Sequence, residues 1–255
     1  MTDFVSNIMK VGAHLDDTRV LIQVWDDQRS EEENVERIVD GNLLALPSQS
    51  RANDVMVRAI RPRFVEPKAG IVPALREVSR HAEAFRDACY YELTRVDALV
   101  AAFVAEQLSV WWNEGRIAIS TSDARDWIDK LVSDGRVPEW SENIRDRVGR
   151  GMMAALRDFG RLTGTRSSSK KEIVRPGISV GGFAYVAFRL HQQGESSRAI
   201  LTSPAWRCWL LDDARVDEMM HRLVSLGVVY YSVAGSTLRI DWRADSLAEV
   251  ASVAT

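Results

Sequence analysis

The spacing of apolar residues along the chain predicts a succession of amphipathic helices. Leu15, Thr18, Leu21, Ile22 and Trp25 fall on one face of a helix over Leu15–Asp27, and Asp16 and Asp17 suit the positive end of its dipole. Ser30 and Glu33 have the spacing of a capping box, with Val35, Ile38 and Val39 as the buried stripe behind it and Gly41 at the stop. After Pro47 and Ser48, the positions Ala52, Val55, Met56, Ala59 and Ile60 repeat as one helical face, opposite Arg51, Asp54, Arg58 and Arg61. Pro62 disfavours continuation through Arg61.

Leu75, Val78, Ala82 and Phe85 mark a further helix. The strongest pattern runs from Thr94 to Trp112, with Val96, Leu99, Val100, Phe103, Val104, Leu108 and Trp111 on one side, and predicts a central core helix. Ser120–Ser133 is shorter and stops near Gly135; Ser141–Leu162 is long and basic, with Ile144, Val148, Met152, Ala155, Leu156 and Phe159 inward. Gly149 and Gly151 weaken that helix by up to about 1 kcal/mol each, or permit close packing or a bend. Helical spacing returns over Ser179–Gln193 and Ala214–Leu226. Two β-rich runs, VVYYSV and TLRIDW, then flank Ala234-Gly235-Ser236 as a hairpin.

The fold expected is therefore mainly α. It has a multi-helical N-terminal body with helix-turn-helix-like helices, and a C-terminal winged-helix-like unit with one β-hairpin. The Ser-, Gly- and Lys-rich stretch Thr163–Gly177 lacks any period. It suggests boundaries at 1–163 (helical domain), 164–177 (linker), 178–243 (winged-helix-like domain) and 244–255 (weakly ordered tail).

Composition narrows the function classes. The 255 residues are 46% hydrophobic and 27% charged, as in an ordinary globular protein. No signal-peptide pattern and no run of about 18 apolar residues occur, so a cytoplasmic protein without membrane contact is expected. Cys89 and Cys208 are too few for a disulfide framework, and His14, His81, His191 and His221 show no ligand spacing, so no metal or cofactor is expected. Phosphate-binding glycine loops, a GxSxG elbow and an HExxH helix are all missing. Adjacent pairs such as Asp16-Asp17 cannot share a helix face. A non-enzymatic role is expected.

Charge is unevenly placed. The net charge is −3, but residues 143–171 hold eight basic and two acidic side chains, while residues 1–47 hold four basic and ten acidic. A polyanion responds to the local patch, because screening acts over about 8 Å. Two candidate surfaces follow. One is Arg51, Arg58, Arg61 and Arg63, facing phosphate, with Ser48, Gln49, Ser50 and Asn53 near base edges or backbone. The other is Arg145, Arg147, Arg150, Arg157, Arg161, Arg166, Lys170 and Lys171, suited to backbone contact without sequence readout. A solvated helix face accounts for either set equally simply. Trp206, Trp209, Tyr230 and Tyr231 read better as packing residues than as base-stacking platforms.

The line LDDTRVLIQVWDDQRSEEENVERIVDGNLLALPSQSRANDVMVRAIRPRFV (Leu15–Val65) resembles the opening of the BrxA family of BREX phage-defence systems. Its marks are Asn42-Leu43-Leu44, Ser48/Ser50-Arg51 and Ile60-Arg61-Pro62-Arg63-Phe64. Tyr90–Gln107, Ile173–Gly194 and Leu201–Tyr231 continue the resemblance in order. It implies an accessory component of a multi-gene system that binds double-stranded DNA, with other BREX proteins as partners. It equally allows a protein-interaction scaffold, or RNA binding like that of a helical antitermination factor. The connection Gly41–Ser48 is longer than a standard helix-turn-helix turn.

Overall fold

A computed structural model describes residues 4, 7–10, 12–235 and 237–254. After a 3₁₀ turn at Asn7–Met9 come α1 (Leu15–Val24), α2 (Glu31–Asp40) and α3 (Gln49–Val55), which continues as a π-helix over Met56–Val65. Next are α4 (Ile71–Val78), α5 (Ala82–Val96), α6 (Ala98–Ala102), a second π-helix (Phe103–Leu108) and α7 (Ser109–Asn113). Then follow β1 (Ala118–Ser120), α8 (Thr121–Ser133), α9 (Glu142–Asp158), β2 (Leu162–Thr163) and β3 (Lys170–Ile173). The chain continues with α10 (Val180–Gln192), α11 (Ser197–Leu201), a 3₁₀ turn (Pro204–Trp209), α12 (Asp213–Ser225), β4 (Val229–Ala234), β5 (Thr237–Trp242) and α13 (Leu247–Val253).

The expected mainly α fold with one late hairpin is what the chain adopts. Side-chain chemistry sets the helix starts: Ser30 with Glu33, Ser120 with Asp123 and Ser246 with Glu249 each form a full capping box. The turn between α2 and α3 is closed by the Asn42 amide, which donates to the Leu46 carbonyl at 2.8 Å and accepts from its N–H at 3.2 Å.

The chain divides into two units, and not at the boundaries the sequence suggests. One comprises Met1–His14, Leu93–Gly177 and Arg207–Leu210; the other comprises Leu15–Glu92, Ile178–Trp206 and Leu211–Thr255. Residues 178–243 thus share a unit with the N-terminal helices. Residues 164–177 are no free linker, since β3 pairs antiparallel with both β1 and β2 in the order β1-β3-β2. The tail after 244 contains α13, whose Leu247, Val250 and Ala251 are buried and which packs on α4 and α10.

In the second unit α10 is buried on every side from Gly181 to Leu190. It holds α5 through a buried network, in which Arg189 Nε and Tyr185 Oη donate to Glu92 Oε1 at 2.8 and 2.9 Å. A carboxylate and a guanidinium buried this deeply are tolerable only because they pair. Asp87 of α5 likewise accepts from Ser179 N–H and Oγ at 2.9 and 2.8 Å, at the start of α10. The β4–β5 hairpin packs on α11 and α12. Its turn position Ser236 lies outside the described residues.

The core of the first unit centres on Leu99, Val100, Phe103, Val104 and Leu108. Phe103 meets Trp127 edge-on, with centroids 5.1 Å apart. The helix expected from Thr94 is interrupted, because Asp97 caps a new start by accepting from Val100 N–H at 3.2 Å. Gly151 serves close packing: a Cβ there would lie 2.8 Å from the Ile8 carbonyl oxygen, so Asn7–Met9 rests directly on α9.

Candidate nucleic-acid interface

The α3 stripe is neutralised within its own helix. Asp54 lies one turn from both Arg51 and Arg58 and pairs with each, to Arg51 at 3.2 Å. Arg61 Nε lies 3.8 Å from Glu66. Arg63 is 2% exposed, and its assignment as a phosphate contact is corrected. The helix does not stop before Pro62 but widens. A π-turn moves the preceding carbonyls away from the proline ring, and the Glu66 N–H reaches back five residues to the Arg61 carbonyl at 2.9 Å. Regular helical spacing already sets position 63 on the apolar face, four residues after Ala59 and three after Ile60, and it stays buried through the wider turn. Among the residues expected near bases, the Ser48 hydroxyl accepts from Arg51 N–H at 3.1 Å as the N-cap of α3. Gln49 Nε2 donates to the Val39 carbonyl at 2.5 Å. Ser50 and Asn53 are exposed.

The second set separates into two groups of four. Arg145 pairs with Asp129 of α8 at 2.6 Å, and Arg157 Nε with its neighbour Asp158 at 2.9 Å. Arg161 donates to the Gly177 carbonyl at 2.9 Å. Lys171 is corrected from a phosphate contact to an internal brace. Alternation along β3 turns it inward, and its Nζ donates to the Thr165 and Ser168 carbonyls at 3.1 and 2.9 Å. Burial, with the Arg157 charge adding, lowers its pKa from the usual lysine range.

Arg147, Arg150, Arg166 and Lys170 are exposed and form no ion pair among the described residues. Their freedom has a structural cause. Asp146, one turn before Arg150, is drawn away by Arg125 of α8, which also holds Asp129 at 2.9 Å. Burial of Asp129 opposes its ionisation, but hydrogen bonds from Arg125 and Arg145 outweigh this and hold its pKa below the ordinary value. Arg166 stands on the β2–β3 loop that Lys171 braces, and Lys170 opens β3 at the end of that loop, with Glu172 exposed next on the same face of the strand. Sequence reasoning missed Lys10, which is exposed directly after the Asn7–Met9 turn that sits on α9 at Gly151. Arg147, one turn before Gly151, shares that part of the helix. No spacing signal joins position 10 to position 147.

Other candidate chemistry is quiet. Cys89 and Cys208 are buried, which raises both thiol pKa values, that of Cys208 to about 12. Among the described residues no group of three His, Cys, Asp or Glu is placed to hold a metal ion, and no helix is long and apolar enough to cross a membrane. Trp206 and Trp209 are buried, and Trp206 stacks on Phe183 at 4.5 Å, as packing residues do.

The chain is similar to a crystal structure of an uncharacterized protein from Magnetospirillum magneticum, with a TM-score of 0.58 and 15% identity over 82% of this chain and 98% of that one. That likeness concerns the fold. No curated protein matches the sequence. The BrxA family model matches residues 2–188, a span that includes α9 and the β2–β3 loop and leaves Leu201–Tyr231 outside it. The chain belongs to the BrxA family, and with it to the components of BREX phage-defence systems.

Proposed function

We propose that this protein is a non-enzymatic DNA-binding component of its defence system, gripping duplex DNA through backbone phosphates with the α9 and β2–β3 loop surface of the first unit. The observation that carries this reading is the set of exposed, unpaired cations Arg147, Arg150, Arg166 and Lys170, with Lys10 beside α9. Free guanidinium and ammonium groups release counterions from DNA when they bind it; groups already paired gain much less. Other BREX proteins are its expected partners.

The helices α10, α11 and α12 followed by the β4–β5 hairpin support a winged-helix-like reading of residues 178–243. In that arrangement α12 would be the reading helix. Its outer face carries Asp213, Asp217 and Glu218, and both of its arginines, Arg215 and Arg222, are held by Glu218. That face is poorly matched to phosphate, so we assign binding to the other unit.

Fluorescence titrations of duplex DNA, single-stranded DNA and RNA at several salt concentrations test this. Duplex binding should weaken with salt and vary little with sequence. Arg147→Gln with Arg150→Gln should reduce duplex affinity about tenfold or more, since charged hydrogen bonds contribute about 1.5–3 kcal/mol each. Unchanged duplex affinity and salt slope in that variant would sink the reading, and a scaffold binding acidic protein partners would replace it. Tighter binding to RNA than to duplex DNA would reassign the ligand but keep the surface.

A further inference from the structure

The first residues of a domain fray unless something ties them down. Here two apolar side chains do so. Phe4 is buried, with the Arg136 guanidinium 5.3 Å from its ring centre, and Arg136 is itself held by Glu106 at 2.7 and 2.9 Å. Ile8 is 1% exposed. The Lys10 N–H donates to the Asn7 carbonyl at 2.8 Å and closes the turn between them.

The two glycines of α9 differ in what faces them. A Cβ at Gly149 would meet Ile128 Cδ1 at 3.6 Å, an ordinary contact. A Cβ at Gly151 would lie 2.8 Å from the Ile8 carbonyl oxygen and 3.0 Å from Met9 Cα, too close for the segment to stay where it is. Both of these atoms are backbone, which cannot swing aside as a side chain can. Lys10 Cα, one residue beyond Met9, falls within about 7 Å of the same point. Arg150 is next to Gly151 in sequence, and Arg147 is one turn before it on the same face. Lys10, Arg147 and Arg150 are all exposed and form no ion pair among the described residues.

We infer that Gly151 is the seat of a phosphate site shared between α9 and the N-terminal segment. Its missing side chain lets Asn7–Met9 lie on the helix and brings Lys10 to the same stretch of DNA backbone as Arg147 and Arg150. This rests on the duplex-binding reading above, and adds to it that the site is complete only while the segment is docked. Gly151 touches no ligand; it is a positioning residue.

Salt titrations of duplex affinity with the full chain, read beside hydrogen exchange at the Lys10 N–H, test the inference. Gly151→Ala should speed that exchange while α9 stays protected, because alanine favours the helix and the clash falls on the segment. Its log–log salt slope should drop by about 0.9, as should that of Lys10→Gln, and the double variant should drop no further. Gly149→Ala, with the same gain in helix propensity and no clash, should keep the wild-type slope and exchange. Should Gly151→Ala leave the exchange unchanged, Ile8→Ser loosens the segment from its other side and should give the same drop. A slope that survives in a variant whose Lys10 exchange has risen would overturn the inference and leave duplex binding standing. So would a further drop in the double variant. A wild type that binds no duplex would overturn both.

Discussion

Two surfaces of this protein carry arginine at similar density, and they differ in where their carboxylates point. On α3 and the π-helix after it, Asp54 takes Arg51 and Arg58, Glu66 takes Arg61, and Arg63 is buried. On α9 the nearby carboxylate Asp146 is held by Arg125 from another helix, which leaves Arg147 and Arg150 open to solvent. The formal charge of a patch therefore says little about its affinity for a polyanion. What counts is how many cations lack a local anion.

The comparison can be broken at its strongest point first. Replacing Arg147, Arg150, Arg166 and Lys170 together by Gln should abolish most duplex binding and flatten the log–log salt slope by about 3–4, at about 0.9 per phosphate contact. Replacing Arg51 and Arg58 by Gln should leave both affinity and slope nearly unchanged. Equal losses in the two variants would erase the distinction.

Next in size is Asp54→Asn, which releases Arg51 and Arg58. If the carboxylate is what silences the stripe, duplex binding should tighten and the slope should steepen by about 1–2. An unchanged slope would show that the stripe is excluded by its position, whatever its charge.

Arg125→Gln should act in the opposite sense and indirectly. Asp146, no longer held, falls back on Arg150 one turn along, and the slope should drop by about 1 although no DNA-contacting residue was changed. Adding Asp146→Asn should restore it.

The smallest effect concerns stability. Asp129 has a folded-state pKa below its ordinary value of about 3.9, so it stabilises the fold above that pH and ceases to as acid protonates it. The thermal midpoint should fall on acidification below about pH 4, and Asp129→Asn should make the decline shallower.

The helical class, the late hairpin and the capping at Ser30 are legible in the sequence because each depends on residues close together in the chain. The unit boundaries are not, because Leu15–Glu92 joins Ile178–Trp206 and Leu211–Thr255 through contacts such as Glu92–Arg189 that no local pattern announces. The tail was misjudged for the same reason: α13 is short and becomes a helix by burying Leu247 and Val250. Site residues fared unevenly. A period of 3.6 already puts Arg63 on the apolar face with Ala52, Ala59 and Ile60, where it is buried; its grouping with the polar stripe rested on its charge alone. Lys171 sits in a serine-rich run that reads as flexible, yet strand alternation turns it inward.

The brace on the β2–β3 loop bears on the kinetics of any polyanion that docks there. Lys171 ties the carbonyls of Thr165 and Ser168 together, so the backbone carrying Arg166 and Lys170 is ordered when the protein folds and not when a ligand arrives. Little conformational entropy is then left to lose on contact. Association should run as rigid docking, limited by encounter and accelerated by charge, with a rate constant that climbs steeply as salt is removed. Lys171→Met would leave Arg166 and Lys170 in place and untie the loop. Capture should slow as the loop comes to order only on binding.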